Sequence, residues 1–103
     1  MLVLPSYEYF LQARGRLFAL LLGPEQALEV ELHQVDQGVA MNARYECFSL
    51  LFLLPTGHAL PQDQYRVRGQ PGEEWDLMLT PVRSVVEQRP CLEAVFHREK
   101  ALA

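Results

Sequence analysis

The sequence predicts a mainly β fold, a small and strongly bent antiparallel sheet or barrel of five or six strands with a short N-terminal helix. Three observations predict it. From Arg16 onward apolar and polar residues alternate with a period of two. Gly and Pro interrupt this pattern at intervals typical of hairpins. Helical periodicity is confined to the segment before Gly15. Short strands spaced in this way close into small barrels or bent sheets.

The composition is that of one globular domain. Half of the 103 residues are hydrophobic and 21% are charged, so that a core can form without disulfides or metal. No internal repeat or linker divides the chain. We therefore expect a single domain over residues 1–103.

The first element is predicted to be a helix over about residues 6–14. Ser6 is a good N-cap, and Gly15 is a typical residue just after a helix end. Three apolar side chains fall on one helical face: Tyr7, Phe10 and Leu11. Because two turns are too short to be stable alone, we expect this helix to pack against the sheet.

Three strands are predicted next, at about 16–22, 27–35 and 46–54. The middle one alternates strictly, which indicates one buried and one solvated face. Its apolar side is Leu28, Val30 and Leu32, and its polar side is Glu29, Glu31 and His33. The first and third are apolar on both faces, a pattern that requires cover on each side.

The last three strands are predicted at about 63–69, 74–80 and 91–97. Tyr65 and Val67 alternate with arginines in the first of them. Glycines and prolines at 69–72 mark a turn into the second, which ends near Pro81. The third alternates again before a charged tail.

A helix followed by five strands is the element order of Sm-like and other SH3-like barrels. Between residues 45 and 96 the chain also resembles a family of small uncharacterised bacterial domains. The resemblance implies an all-β fold and no particular activity. Four blocks carry it: FSLLF at 48–52, LPQDQYRV at 60–67, DLMLTPV at 76–82 and LEAVF at 92–96.

Two short motifs resemble those of Sm-like proteins. Asp36 precedes the pair Met41-Asn42, with a gap two residues longer than the usual pattern, and Val-Arg-Gly at 67–69 is similar to the second motif. This resemblance implies that Asn42 and Arg68 line a nucleotide pocket formed between neighbouring subunits of a ring.

The net charge of −4 and the pI near 5.3 give no overall attraction to nucleic acid or to an anionic membrane. No apolar run approaches the ~20 residues of a membrane-spanning helix, and the N-terminus lacks the features of a signal peptide. We expect a cytoplasmic protein without a membrane partner.

Two cysteines, Cys47 and Cys91, are too few for a disulfide scaffold and are interpreted as thiols on strands.

The sequence predicts no catalytic, metal or cofactor site. It contains no nucleophile elbow, phosphate-binding loop or closely spaced metal ligands. Either cysteine can be combined on paper with a histidine (His33, His58 or His97), but no local motif supports this. The acidic pairs are interpreted as solvated faces of strands: Glu29 with Glu31, and Glu73-Glu74 with Asp76.

Surplus apolar surface is the remaining functional feature. Two strands are apolar on both faces, and one face of each lies outside the barrel's own core. The preferred hypothesis is a non-enzymatic structural module that forms a homo-oligomer or binds a structural protein partner. The alternative is a divergent Sm-like RNA-binding protein that acts through Asn42 and Arg68. An enzyme ranks third, with no reaction indicated.

Overall fold

A computed structural model describes residues 6–38, 45–69, 72–84, 86 and 88–99, with the backbone alone at 98 and 99. It contains one helix and six strands: α1 (Tyr7–Gln12), β1 (Leu17–Gly23), β2 (Gln26–Gln37), β3 (Tyr45–Leu53), β4 (Asp63–Arg68), β5 (Glu74–Val82) and β6 (Cys91–Glu99). The predicted fold class is confirmed, with six strands. Each predicted strand lies within two residues of the observed bounds, and the helix is shorter than predicted.

The strands close into an antiparallel barrel in the order β1-β2-β3-β6-β5-β4. Each half of the chain forms a three-stranded unit, and the two units join through β3 with β6 and through β4 with β1. The β3–β6 ladder is the longest, with nine residue pairs from Tyr45–Glu99 to Leu53–Cys91. The central core therefore contains the inward side chains of all six strands, together with Phe10 and Ala13 of the N-terminal segment.

Two junctions of the barrel are short. β1 and β4 pair at three positions, from Ala19–Arg68 to Leu21–Arg66. β5 and β6 also pair at three, from Thr80–Glu93 to Val82–Cys91. Both junctions coincide with surface depressions described below.

The helix fills one part of the barrel core with aromatic side chains. Ser6 caps it, because its Oγ accepts a hydrogen bond of 3.2 Å from the Tyr9 backbone N–H. Phe10 is fully buried, and its ring centroid lies about 6 Å from those of three core aromatics: Phe48 at 6.0 Å, Trp75 at 6.1 Å and Phe96 at 5.9 Å. The expectation that the helix packs on the sheet is confirmed.

Gly69 allows the helix to approach the β4–β5 turn. A Cβ at this position would lie 2.8 Å from Cη2 of Trp75 and 2.9 Å from the Tyr9 hydroxyl.

No described helix combines the length and the apolar character that crossing a membrane requires.

Candidate assembly surface

The outer face of β3 is covered by the chain itself. Leu51 and Leu53 point away from the central core and form a second apolar cluster with Cys91. Val82 and Val86 pack on this cluster. They belong to the end of β5 and to the segment that connects it to β6 (residues 83–90, the β5–β6 connection). One of the two predicted surplus faces is thus buried within the molecule.

Arg89 holds the β5–β6 connection in place. Its Nε donates a hydrogen bond of 3.0 Å to the carbonyl oxygen of Leu54, and its Nη2 donates one of 3.4 Å to that of Leu53. Its Nη1 lies 3.4 Å from Oε1 of Glu31 on β2. Because the guanidinium satisfies two carbonyls and a carboxylate at once, it ties three segments together.

The outer face of β1 has no such cover among the described residues. Leu17 is 44% exposed, and Ala19 and Leu21 are half-buried. These three side chains occupy successive outward positions and form an apolar column along the strand.

Charged columns of opposite sign flank this apolar column. The β1–β2 register places Glu31 beside Leu17 and Glu29 beside Ala19. On the other side, the β1–β4 register places Arg68 beside Ala19 and Arg66 beside Leu21. We call the outward residues of these three strands the β1 face: Leu17, Ala19, Leu21, Ala27, Glu29, Glu31, Arg66 and Arg68. It runs from acidic through apolar to basic.

Both arginines of the β1 face are paired with acidic residues on β5. Arg66 makes a two-pronged contact with Asp76, with Nε 3.0 Å from Oδ1 and Nη2 3.3 Å from Oδ2. The hydrogen bond from Arg66 holds the pKa of the Asp76 carboxyl below its usual value, and Asp76 in turn raises the pKa of the guanidinium.

Arg66 has a further contact, because its Nη1 lies 3.7 Å from Oε1 of Glu74, whereas Arg68 is bonded through two nitrogens. Its Nε and Nη2 both donate to Oε2 of Glu74, at 3.1 and 3.0 Å. No bond from its Nη1 is found within the described part of the chain. Of the five N–H donors of a guanidinium, those on Nη1 are therefore available to another acceptor.

A depression of about 310 Å³ lies in the β1 face between its two charged columns. Small residues line it, namely Ala19 on β1, Ala27 on β2 and Gly69 just after β4, and Glu29 and Arg68 line it on opposite sides. The face is thus locally concave at the row where the acid, the apolar residue and the base lie side by side.

A second exposed apolar site lies where β5 and β6 diverge. Met78 is 54% exposed and Val95 is 66% exposed. They line a groove of about 290 Å³ with Asp76 and His97. Beyond the three pairs of the β5–β6 ladder, the two strands are not paired with each other.

The two residues of the Sm-like resemblance are only partly placed. Asn42 lies outside the described residues. Arg68 is exposed on β4 and bonded to Glu74, and the nucleotide pocket between subunits stays a prediction. Sequence reasoning interpreted Glu74 and Asp76 as a solvated acidic face and missed that they neutralise the arginines of the neighbouring strand.

The cysteines are free and far apart along the β3–β6 ladder. Cys47 lies opposite His97 and Cys91 opposite Leu53. Six register steps separate the two thiols, about 20 Å at ~3.4 Å per residue, beyond the reach of a disulfide. No hydrogen bond joins Cys47 to His97 within the described part, and no third group orients that imidazole, as nucleophilic catalysis requires.

Two tyrosines also have shifted pKa values. Burial raises the pKa of the Tyr9 hydroxyl, and the charge of Glu73 raises it further. Burial also raises the pKa of Tyr65, whose hydroxyl donates a hydrogen bond of 2.6 Å to the carbonyl of Pro61. Three or more potential metal ligands do not cluster anywhere in the described ranges.

Comparisons with known proteins identify a family. No curated protein and no solved structure matches the chain. A family model described as a domain of unknown function, DUF6916, matches residues 5–96. This confirms the resemblance to an uncharacterised family, while the bacterial origin and the Sm-like resemblance stay predictions. Because the match extends over nearly all of the 103 residues, the chain belongs to the DUF6916 family.

Proposed function

We propose that this chain is a structural module that assembles with copies of itself through the β1 face. The observation that carries the proposal is the apolar column of Leu17, Ala19 and Leu21, which lies on the outside of the barrel without cover from any described residue. Burial of such a column is favourable at about 25 cal/mol per Å² of apolar surface. Since the described residues cover the outer face of β3 and leave that of β1 uncovered, a second copy is the proposed cover.

The shape of a barrel limits the strength of this contact. A convex surface touches its partner along a narrow strip, here β1 and its two neighbouring strands. Interfaces below the standard size give weak association, so the proposed dissociation constant is on the order of micromolar. The assembly state is then expected to depend on concentration in the range that sedimentation measures.

Sedimentation equilibrium tests the proposal on the wild type and two matched variants. Wild type is expected to form dimers or larger oligomers at high concentration, and Leu17→Asp is expected to be monomeric. Val95→Asp is the control, because Val95 is more exposed than Leu17 but lies outside the β1 face. A monomeric wild type at every concentration would refute self-association. Loss of assembly in Val95→Asp alone would move the interface to the β5–β6 groove.

RNA binding through Asn42 and Arg68 is the second proposal. The exposed Arg68 beside the depression supports it, although Glu74 already offsets its charge. Filter binding to uridine-rich and adenine-rich RNA at low ionic strength tests it, because phosphate contacts weaken steeply with salt. Salt-sensitive binding that Arg68→Ala abolishes is the expected result, and no binding at low salt refutes it.

We also propose a reducing, cytoplasmic location. Both cysteines are free, as is typical of proteins kept in reducing compartments. Localisation of the tagged protein by cell fractionation tests this, and recovery outside the cytoplasm would contradict it.

A further inference from the structure

We infer that two copies pack β1 against β1 about a twofold axis parallel to that strand, with Glu29 of each copy facing Arg68 of the other. The inference rests on the proposed self-association and specifies its geometry. The β1 face supplies three facts that decide between arrangements: the order of its columns, the register of its rows and the charges that remain available.

The order of the columns selects the axis. When two copies of one sheet face meet, the twofold axis lies in the plane of contact. An axis parallel to β1 places the acidic column on β2 of one copy over the basic column on β4 of the other. An axis perpendicular to β1 places acid over acid and base over base. Because facing like charges disfavour an arrangement, the parallel axis is the one that the face permits.

The register of the rows then identifies the pair. Rotation about an axis along β1 leaves each row at its own height on the strand. Glu29, Ala19 and Arg68 share one row, so Glu29 meets Arg68 of the second copy at the depression. In the same arrangement Leu17 packs against its own equivalent.

The existing contacts show which charges remain available. Glu31 is engaged with Arg89. Arg66 is held by Asp76 through Nε and Nη2, and its Nη1 lies 3.7 Å from Oε1 of Glu74. Glu29 is exposed and has no ion-pair partner within the described part of the chain. Arg68 retains the donors on Nη1. The pair formed between copies is therefore Glu29 with Arg68, and its role is to fix orientation more than to add affinity.

Two complementary variants test this arrangement. In Glu29→Arg, position 29 faces an arginine of the second copy, and in Arg68→Glu, position 68 faces a glutamate. Each variant alone is expected to self-associate at least about tenfold more weakly than wild type. An equimolar mixture of the two is expected to form a mixed dimer close to wild-type affinity, because both inter-copy pairs are then of opposite charge. Fluorescent labelling of one variant makes the mixed species visible in sedimentation velocity.

The possible outcomes separate the inference from the function on which it rests. A wild type that remains monomeric refutes the proposed function itself. A wild type that assembles while both single variants assemble equally well refutes only the arrangement. Weakened single variants that fail to recover on mixing also refute it, because the twofold then does not join these residues.

A crosslinking experiment keeps the arrangement testable if Arg68→Glu, placed next to Glu74, does not fold. In a Cys47→Ala background, Leu17→Cys and Leu21→Cys are treated with a bifunctional maleimide whose spacer matches the ~10 Å between packed sheets. Parallel packing places each position opposite itself, so both variants are expected to crosslink into dimers. Failure of both, or a crosslink only between the two variants when they are mixed, overturns the arrangement.

Discussion

β1 and β3 look alike in sequence and differ in the folded molecule. Both strands carry apolar residues on both faces. The outward Leu51 and Leu53 of β3 are buried beneath Val82 and Val86. The outward Leu17 of β1 remains 44% exposed. The difference lies in the neighbouring chain: β3 adjoins a connection long enough to fold back over it, whereas a tight turn at Pro24–Glu25 leads from β1 directly into β2.

This difference shows what a strand with two apolar faces predicts. Both faces are expected to be buried, but the pattern does not say whether the outer face is buried by the same chain or by a partner. At β3 the chain supplies this cover, through Val82 at the end of β5 and Val86 in the β5–β6 connection. A turn of two residues cannot do so at β1. The apolar surface left at β1, edged by opposite charges, is therefore the place where we expect assembly. Substitutions on the outer face of β3 should then lower stability, and substitutions on that of β1 should weaken assembly.

The largest expected effect is a loss of stability when the buried outer face of β3 is changed. Leu53→Ala leaves a cavity in the outer cluster and is expected to lower the free energy of unfolding by about 2–5 kcal/mol. Leu17→Ala is expected to cost less than about 1 kcal/mol, since its side chain is partly solvated in the monomer. Urea unfolding at low protein concentration measures both, because dimerisation would add to apparent stability at high concentration. Equal losses at the two positions would contradict the distinction.

A smaller loss of stability is expected when the β5–β6 connection is held less tightly over β3. Arg89→Ala leaves the carbonyls of Leu53 and Leu54 without their guanidinium donors, at a cost of about 1–3 kcal/mol. The β5–β6 connection should then open more often and expose Cys91, which is buried beneath it. In a Cys47→Ala background, faster reaction of Cys91 with a thiol reagent measures this opening. Arg83→Ala, at an exposed arginine of the same connection, serves as the control and should leave the rate unchanged; an unchanged rate in Arg89→Ala would show that Arg89 does not hold the cover.

The sequence was sufficient for the fold class because the evidence for it is local. Alternation in β2 separates the buried Val30 and Leu32 from the acidic residues between and beside them, and this pattern needs no knowledge of the neighbouring strands. Gly15, which has a φ of +88°, lies two residues beyond the helix C-cap Ala13, and its conformational freedom allows the turn from the helix into β1. These features would be recognised in any chain that contained them.

The arrangement of the surface was not predictable because it depends on contacts between distant residues. Arg89 bonds to Leu54 across 35 positions and to Glu31 across 58, and no local pattern indicates either contact. The closest signal was the three valines at positions 82, 85 and 86 in the sequence, of which Val82 and Val86 pack on the outer cluster. The opposition of Glu29 and Arg68 across β1 likewise required the pairing of β1 with β4, which joins residues as distant in the sequence as Ala19 and Arg68.

The smallest expected effect concerns the charges that border the uncovered strand. Since the hydrogen bond from Arg66 lowers the pKa of the Asp76 carboxyl, Arg66→Gln is expected to return that pKa toward its ordinary value, as measured by carboxyl titration in NMR spectra. The pair stabilises the fold above the pKa of the unfolded carboxyl, and this contribution is lost as the pH falls through the lowered pKa of the folded state. Because both groups are exposed, the change in stability should be slight.

Arg68→Gln is the matched variant for this titration, because Arg68 bonds to Glu74 and not to Asp76. It should leave the pKa of Asp76 low. If Asp76 titrated normally in the wild type, Arg66 would be free to face a second copy, and Glu29 would have two arginines to choose between. A low pKa that depends on Arg66 alone instead means that β5 already holds Arg66 in place. Arg68 is also held by β5, through Glu74, but its Nη1 has no acceptor among the described residues. It is then the arginine left to bind across the uncovered face of β1.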